Sequence, residues 1–314
     1  MHTMALKERS LVQVIDGDCY SSVFDADKIR EALRFTPGRG DVVQMTYLAS
    51  GTHWMHQMVQ LIVHGGQSAT CYEEFRARQA FLELVGKPAE ARSPPSPRLL
   101  VTHIRPGKIA MSAEAKYIYV ARNPWDVCGS LYDFLQQRHR TARQQSFEDF
   151  VNTFLQGIAP GGDYFEHVRA GYMRRDEQNV FFVTYEEMSA HRDDVLLRLA
   201  DFLGREYGNA LLHNSELLSE IVYKCSSEYM KDIFTTSTQK IDDLVRNSGA
   251  SWHGGGDGNR KVKFVRIAKV GRWRSMFSKR TLEKTLRVID SLPEPQYVQE
   301  LWKDIYSEVR DAAD

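Results

Sequence analysis

Apolar positions change their period along this chain, and the sharpest change falls at residues 41–63. Asp41-Val42-Val43-Gln44-Met45-Thr46 is a mainly apolar run rich in β-branched residues and reads as a strand. It stops at the loop Tyr47-Leu48-Ala49-Ser50-Gly51. From Met55 onward the apolar residues Met58, Val59, Leu61, Ile62 and Val63 follow a helical pattern. Strand, small-residue loop and helix in this order form a cradle for phosphate. The helix start leaves N–H groups without acceptors, the helix dipole adds partial positive charge, and Ser50 and Gly51 let an anionic oxygen approach. An ordinary strand-to-helix turn has the same local pattern, so the loop alone leaves both readings open.

The rest of the chain repeats this grammar. Val12, Val14, Tyr20, Val23 and Phe24 fit two short strands, and Ala26 to Phe35 fits a helix ahead of the turn Pro37-Gly38-Arg39-Gly40. Ser93-Pro94-Pro95-Ser96-Pro97 reads as a surface loop. Arg98 to His103 is a short strand ending in polar side chains, and in open parallel sheets ligands sit beyond that end, where His103 falls. A strand at Lys116 to Ala121 leads into a marked helix start. Asn123 suits the N-cap, Pro124 the first helical position and Asp126 the first turn. Arg122 and Ser130, about two turns into that helix, make a second candidate anion site, with a surface pair of Arg122 and Asp126 as the alternative. Residues 147–175 and 186–204 read as helices flanking a strand at Val180 to Thr184, with Tyr185 at its end. Residues 251–260 read as a mobile Gly-rich loop, and 279–289 and 297–309 as a helical tail. The expectation is a single α/β domain over 1–314, with its core at about 40–283 and a central parallel β-sheet flanked by helices.

Composition narrows the partners. Lys plus Arg equals Asp plus Glu at 41 each, so the overall field favours neither nucleic acid nor an anionic membrane. Charge is local: residues 260–274 carry seven basic side chains and no acid, which asks for an anion or a solvated face. The basic stretch Arg138 to Arg143 reads as a charged helix terminus. Cys19, Cys71, Cys128 and Cys225 are widely spaced and read as small buried thiols in a reducing compartment, without zinc. With no apolar run long enough for a signal or a membrane span, a cytoplasmic location is expected.

Taken together, these stretches resemble the cytosolic sulfotransferase family. Its motif T-Y-P-K-S-G-T-x-W stands here as Thr46 to Trp54, R-L-L-K-T-H as Arg98 to His103, and Y-V-A-R-N-x-x-D-V-x-x-S-x-Y as Tyr119 to Tyr132. Phe182 to Met188 matches F-x-x-Y-E-x-M, and Phe264 to Trp273 matches F-x-R-K-G-x-x-G-x-W with changes. The resemblance implies transfer of a sulfuryl group from 3′-phosphoadenosine 5′-phosphosulfate (PAPS), without a metal, to a phenol, biogenic amine or hydroxysteroid. It implies that Ser50, Gly51, Thr52, His53 and Trp54 hold the 5′-phosphosulfate, with Trp54 on the adenine. Arg122, Ser130 and Arg266 would take the 3′-phosphate, and Tyr185, Ser226 and Met230 the adenine and ribose. His103 would be the base. Glu83 and Tyr20 would approach the acceptor, and a carboxylate at Glu83 or Glu74 would suit a phenolic amine.

The chain departs from the pattern where charge matters most. The family's loop lysine is Ala49, the lysine before Thr102 is Val101, and Ile267, Ala268 and Ser227 replace further motif residues. Loss of a preorganised charge stabiliser costs about 3 to 4 kcal/mol unless replaced, and His53 is the candidate replacement. Two readings follow: an active transferase with a remodelled loop, or a nucleotide-binding sensor or scaffold. No G-x-x-x-x-G-K-[ST] string is present, which argues against a kinase. The family's homodimer motif is degenerate here, at Arg274, Ser278, Lys279 and Glu283.

Overall fold

The structure, a computed structural model, describes residues 11–89, 97–138, 145–247, 260–265 and 269–314. The Gly-rich stretch at 251–259, Arg266, and most of the Pro-rich and basic stretches at 93–97 and 138–143 lie outside the described residues. An antiparallel pair, β1 (Val12–Ile15) and β2 (Asp18–Ser21), precedes helix α1 (Ala26–Arg34), as the hydrophobic pattern predicts. Asp25 starts α1 by accepting from the N–H groups of Asp27 and Lys28.

Next come β3 (Asp41–Thr46), α2 (Thr52–Val63), α3 (Tyr72–Ala77), β4 (Ala80–Phe81), α4 (Leu82–Val85), β5 (Arg98–Thr102) and β6 (Lys116–Ala121). α5 (Pro124–Arg138), α6 (Phe147–Leu155), α7 (Tyr164–Tyr172) and β7 (Val180–Thr184) follow. The five strands β4-β5-β3-β6-β7, in that spatial order, form a parallel sheet. β3 lies at its centre and is buried at every position, which is why it reads as one apolar run without alternation.

Alternate residues of the central strands feed two cores. Val43, Met45, Tyr117 and Tyr119 pack with Trp125 and Leu131 of α5, Phe150 and Phe154 of α6 and Tyr164 of α7. Val42, Ile118, Val120 and Val183 pack on the other face with Met55, Met58 and Leu61 of α2. That second layer also receives Val195, Leu196 and Leu199 of the helix at Arg192–Leu203.

The sequence pattern overran three breaks. Residues 147–175 hold two helices, because Gly157, Gly161 and Gly162 take positive φ and Asp163 caps α7 afresh. Residues 186–204 hold α8 (Tyr185–Ala190) and α9 (Arg192–Leu203), parted at His191, whose φ of −132° and ψ of 49° leave the helical region. After α10 (Arg205–Leu212), α11 (Ser215–Lys224), α12 (Ser227–Ile233), β8 (Thr235–Ser237), α13 (Thr238–Asn247) and β9 (Lys261–Lys263), the tail comprises three helices. They are α14 (Lys279–Asp290), α15 (Gln296–Leu301) and α16 (Lys303–Ala313), the last two parted at the buried Trp302. Burial also corrects the cysteines: Cys128 and Cys225 are buried, whereas the free thiols of Cys19 and Cys71 are only half-buried.

Candidate active site

Four strand ends converge at one edge of the sheet. The chain leaves β3 toward the β4–β5 side and leaves β6 toward β7, so a crevice opens between the ends of β3 and β6. The loop after β3, His103 after β5, Arg122 after β6 and Tyr185 after β7 all line it.

The loop is shaped by its backbone. Ser50 N–H donates to the Tyr47 carbonyl, and Ala49 and Gly51 take φ of 63° and 101°. A Cβ on Gly51 would lie 2.8 Å from Cδ2 of Tyr185, so glycine is required there on two counts. α2 then begins without a side-chain cap, its first internal bond running from Met55 N–H to the Gly51 carbonyl. The N–H groups of Thr52, His53 and Trp54 therefore start the helix with no intrahelical acceptor, in residues that line the crevice. The Thr52 and Thr46 hydroxyls share a 2.8 Å hydrogen bond, and Gln44 Nε2 donates to the Thr52 carbonyl, which fixes the loop on β3.

His103 is held on three sides. Its backbone N–H donates to Oε1 of Glu83 at 2.5 Å, and its carbonyl accepts from Nε2 of His167 at 3.1 Å. Its Nδ1 lies 2.7 Å from the Thr46 carbonyl, and a carbonyl can only accept, so Nδ1 carries the proton and Nε2 has the lone pair. Desolvation lowers the imidazole pKa to about 4, with the Thr46 bond opposing and the Arg76 charge assisting. The ring is neutral at physiological pH, its Nε2 without a hydrogen-bond partner among the described residues: the form a general base needs.

Arg122 and Ser130 meet as the sequence predicts. Arg122 Nη1 donates to the Ser130 hydroxyl at 3.2 Å and to the Ala49 carbonyl at 3.0 Å. Its guanidinium lies 4.1 Å over the Tyr185 ring, while Nε is buried without a partner. Asp126 is not its counter-ion. That carboxylate accepts from Asn123 Nδ2 and from the N–H groups of Gly271 and Trp273, and so ties the C-terminal basic run to the start of α5. Within that run, Arg272 pairs with Asp133 and Arg274 with Glu308, while Lys263 lines the crevice.

The adenine-side residues divide. Trp54 packs edge-on to Tyr185 at 5.1 Å and donates from Nε1 to the Cys225 carbonyl, and Met230 lines the crevice with it. Ser226 instead caps α12 by accepting from Tyr229 N–H, and its neighbour Ser227 supplies the lining. Arg192, over the Trp54 ring at 5.3 Å and with Nε buried and unpartnered, went unrecognised in the sequence. Only the turn of α8 into α9 brings it in, and no local motif marks it.

Two further expected residues, Glu83 and Tyr20, lie off the lining of the crevice. Glu83 is buried beneath His103 and lines neither cavity, and burial lifts its pKa to about 7. Tyr20 packs in the core, whereas Ser21 beside it reaches the cavity wall. His53 lines the crevice, stacked on Phe264 at 4.6 Å with Nε2 3.3 Å from the Tyr72 hydroxyl. Glu74 is exposed and bound to Arg78 and Thr70. In the dimer motif, Arg274 bonds Glu308, Lys279 bonds the Asp314 carbonyl and Ser278 caps α14, all within the chain.

A parallel sheet with an anion cradle at its switch point and a neutral, oriented histidine beside it defines a group-transfer enzyme of the α/β class. The chain belongs to the sulfotransferase family: the family model for the sulfotransferase domain matches residues 39–301. Human sulfotransferase 1C2 is 26% identical over 247 residues, 76% of this chain and 78% of that protein. Mouse sulfotransferase 2B1 is 31% identical over 242 residues, 76% of this chain and 67% of that protein. Rabbit amine sulfotransferase is 29% identical over 238 residues, 74% of each chain. Among solved structures, retinol dehydratase in complex with androsterone and inactive cofactor PAP shares the fold at a TM-score of 0.67 and 21% identity, covering 87% of this chain and 86% of that one.

Proposed function

We propose that the protein transfers a sulfuryl group from PAPS to the hydroxyl of a small acceptor, with His103 as general base. The observation that carries this reading is the bond from His103 Nδ1 to the Thr46 carbonyl, which leaves a neutral Nε2 facing the crevice beside the anion cradle. The residues also fit the nucleotide. The Ser50 hydroxyl and the Nε atoms of Arg122 and Arg192 are buried without partners among the described residues, and the uncapped start of α2 offers N–H donors. The solved relatives in complex with PAP, retinol dehydratase and mouse SULT7A1, support the same ligand class.

When bound, PAPS supplies an electrophilic sulfur and a phosphate leaving group. The acceptor oxygen bonds to sulfur as the bond from sulfur to the phosphate oxygen breaks, and that electron pair leaves on the phosphate. His103 Nε2 takes the hydroxyl proton, and the Thr46 carbonyl keeps the Nδ1 proton in place while the ring becomes charged. Thr52 and the first N–H groups of α2 would stabilise the charge on the leaving oxygen, and Arg122 with Ser130 would hold the remote phosphate.

Ala49, in place of the loop lysine, favours a second reading in which the nucleotide binds without turnover. The assay that separates the two incubates protein with PAPS and a panel of phenols, amines and hydroxysteroids, following release of PAP. Turnover that vanishes in His103→Ala supports the transferase. Binding of PAP without turnover on any acceptor supports the sensor.

A further inference from the structure

A second cavity of 440 Å³ shares His103, Leu48 and Phe264 with the nucleotide crevice, and its lining identifies a class of acceptor. Its walls are aromatic and aliphatic, with Phe24, Phe81, Phe134 and Phe264 presenting flat apolar surfaces. Among the described lining residues none is acidic, and one carries a permanent charge: Arg76, near the end of α3. Its guanidinium lies 5.2 Å over the Phe81 ring, and that ring lies 5.2 Å from the His103 ring. The guanidinium is therefore at most about twice that distance from the base. Arg76 is half-buried and forms no ion pair with a described residue. The neighbouring acids are bonded elsewhere: Glu74 with Arg78, Glu73 with Thr236 and Lys240, and Glu83 with the His103 backbone, so that Glu83 reaches Arg76 only through its field, without an ion pair.

An unpaired, partly desolvated guanidinium in an apolar chamber is costly for the empty protein and favourable for a ligand that brings an anion. A cationic amine entering the same chamber would meet like charge and no carboxylate. We propose that the acceptor is a hydroxyaryl compound bearing a carboxylate or comparable anionic group, its hydroxyl at His103 and its anion on Arg76. This rests on the transferase reading above and names its substrate class. The chemistry is the same transfer: the aryl hydroxyl loses its proton to His103 Nε2, its oxygen bonds to sulfur, and PAP departs with the electron pair.

Three phenols of matched length test it: 3-(4-hydroxyphenyl)propanoate, 4-propylphenol and 4-(2-aminoethyl)phenol. Each is measured for kcat/KM with PAPS and, separately, for calorimetric affinity to the PAP-loaded protein. The expected order is acid, then neutral, then amine, with the acid about 10-fold or more above the neutral phenol in both measurements. Arg76→Leu should bring the acid-to-neutral ratio to about one, Arg76→Lys should retain part of it, and Arg76→Glu should favour the amine. An acid that binds and reacts no better than the neutral phenol in the unaltered protein overturns the proposal. Acid-selective binding that depends on Arg76 but yields no sulfated product leaves the proposal standing and overturns the transferase reading.

Discussion

On the transferase reading, Ala49 is the residue on which catalytic power turns. It takes a left-handed conformation, its carbonyl is engaged by Arg122, and its methyl faces the crevice where the family pattern carries a lysine. His53, the candidate replacement, lines the same crevice with its ring packed on Phe264 and near the Tyr72 hydroxyl. Restoring the charge with Ala49→Lys should raise kcat on the order of 10²-fold, read from steady-state turnover with PAPS. An unchanged kcat would mean that the leaving oxygen is already served by another cation, with Lys263 and Arg272 the lining candidates. Residues set in a strand-end motif, His103, Arg122 and Ser130, were legible in the sequence because the motif fixes both neighbours and direction. Arg76 and Arg192 were not, because their placement depends on how short helices turn back onto the sheet.

The decisive element is the turn from β3 into α2. Gly51 there combines a φ of 101° with close approach to the Tyr185 ring, and Tyr185 in turn carries Arg122 on its face. Gly51→Ala should therefore act on both anion sites, through about 1–2 kcal/mol of left-handed backbone strain and a displaced Tyr185. The expected result is a PAP affinity weakened about 10-fold or more by calorimetry, and a PAP affinity equal to that of the parent would show that Tyr185 yields without moving Arg122. Strands and the starts of α1, α2 and α5 could be read from pattern and capping chemistry, since Asp25 and Asn123 announce themselves. The breaks at 156–163, His191 and Trp302 were not. At 156–163 the break is written in Gly157, Pro160, Gly161 and Gly162, which the apolar pattern masks, whereas at His191 and Trp302 the pattern continues and tertiary packing stops the helix.

For the whole molecule, buried titratable groups set the pH range of stability. Desolvation lowers the pKa of His103 to about 4, of His167 to about 3, and of His56 well below its ordinary value. Each stabilises the fold above the unfolded value of 6.5, and that contribution is lost as pH falls through the folded value. Glu83 runs the other way. Raised from 4.5 to about 7, it favours the fold below 4.5 and loses that contribution as pH rises to about 7. Three histidines outweigh the acid, so Tm should climb from pH 4.5 and level off above about pH 7. Glu83→Gln keeps an acceptor for the His103 N–H and removes the ionisation, so it should raise Tm at pH 8 more than at pH 5. An equal shift at both would show Glu83 ionised throughout.

The central claim, that His103 is the base of a working sulfotransferase, is tested most directly by single-turnover mixing of PAPS-loaded protein with excess 3-(4-hydroxyphenyl)propanoate, comparing the parent with His103→Ala. Sulfated product is expected in one turnover from the parent, with a rate at least about 10²-fold lower in the variant and equal PAP affinity in both. Equal rates from the two proteins would contradict that claim.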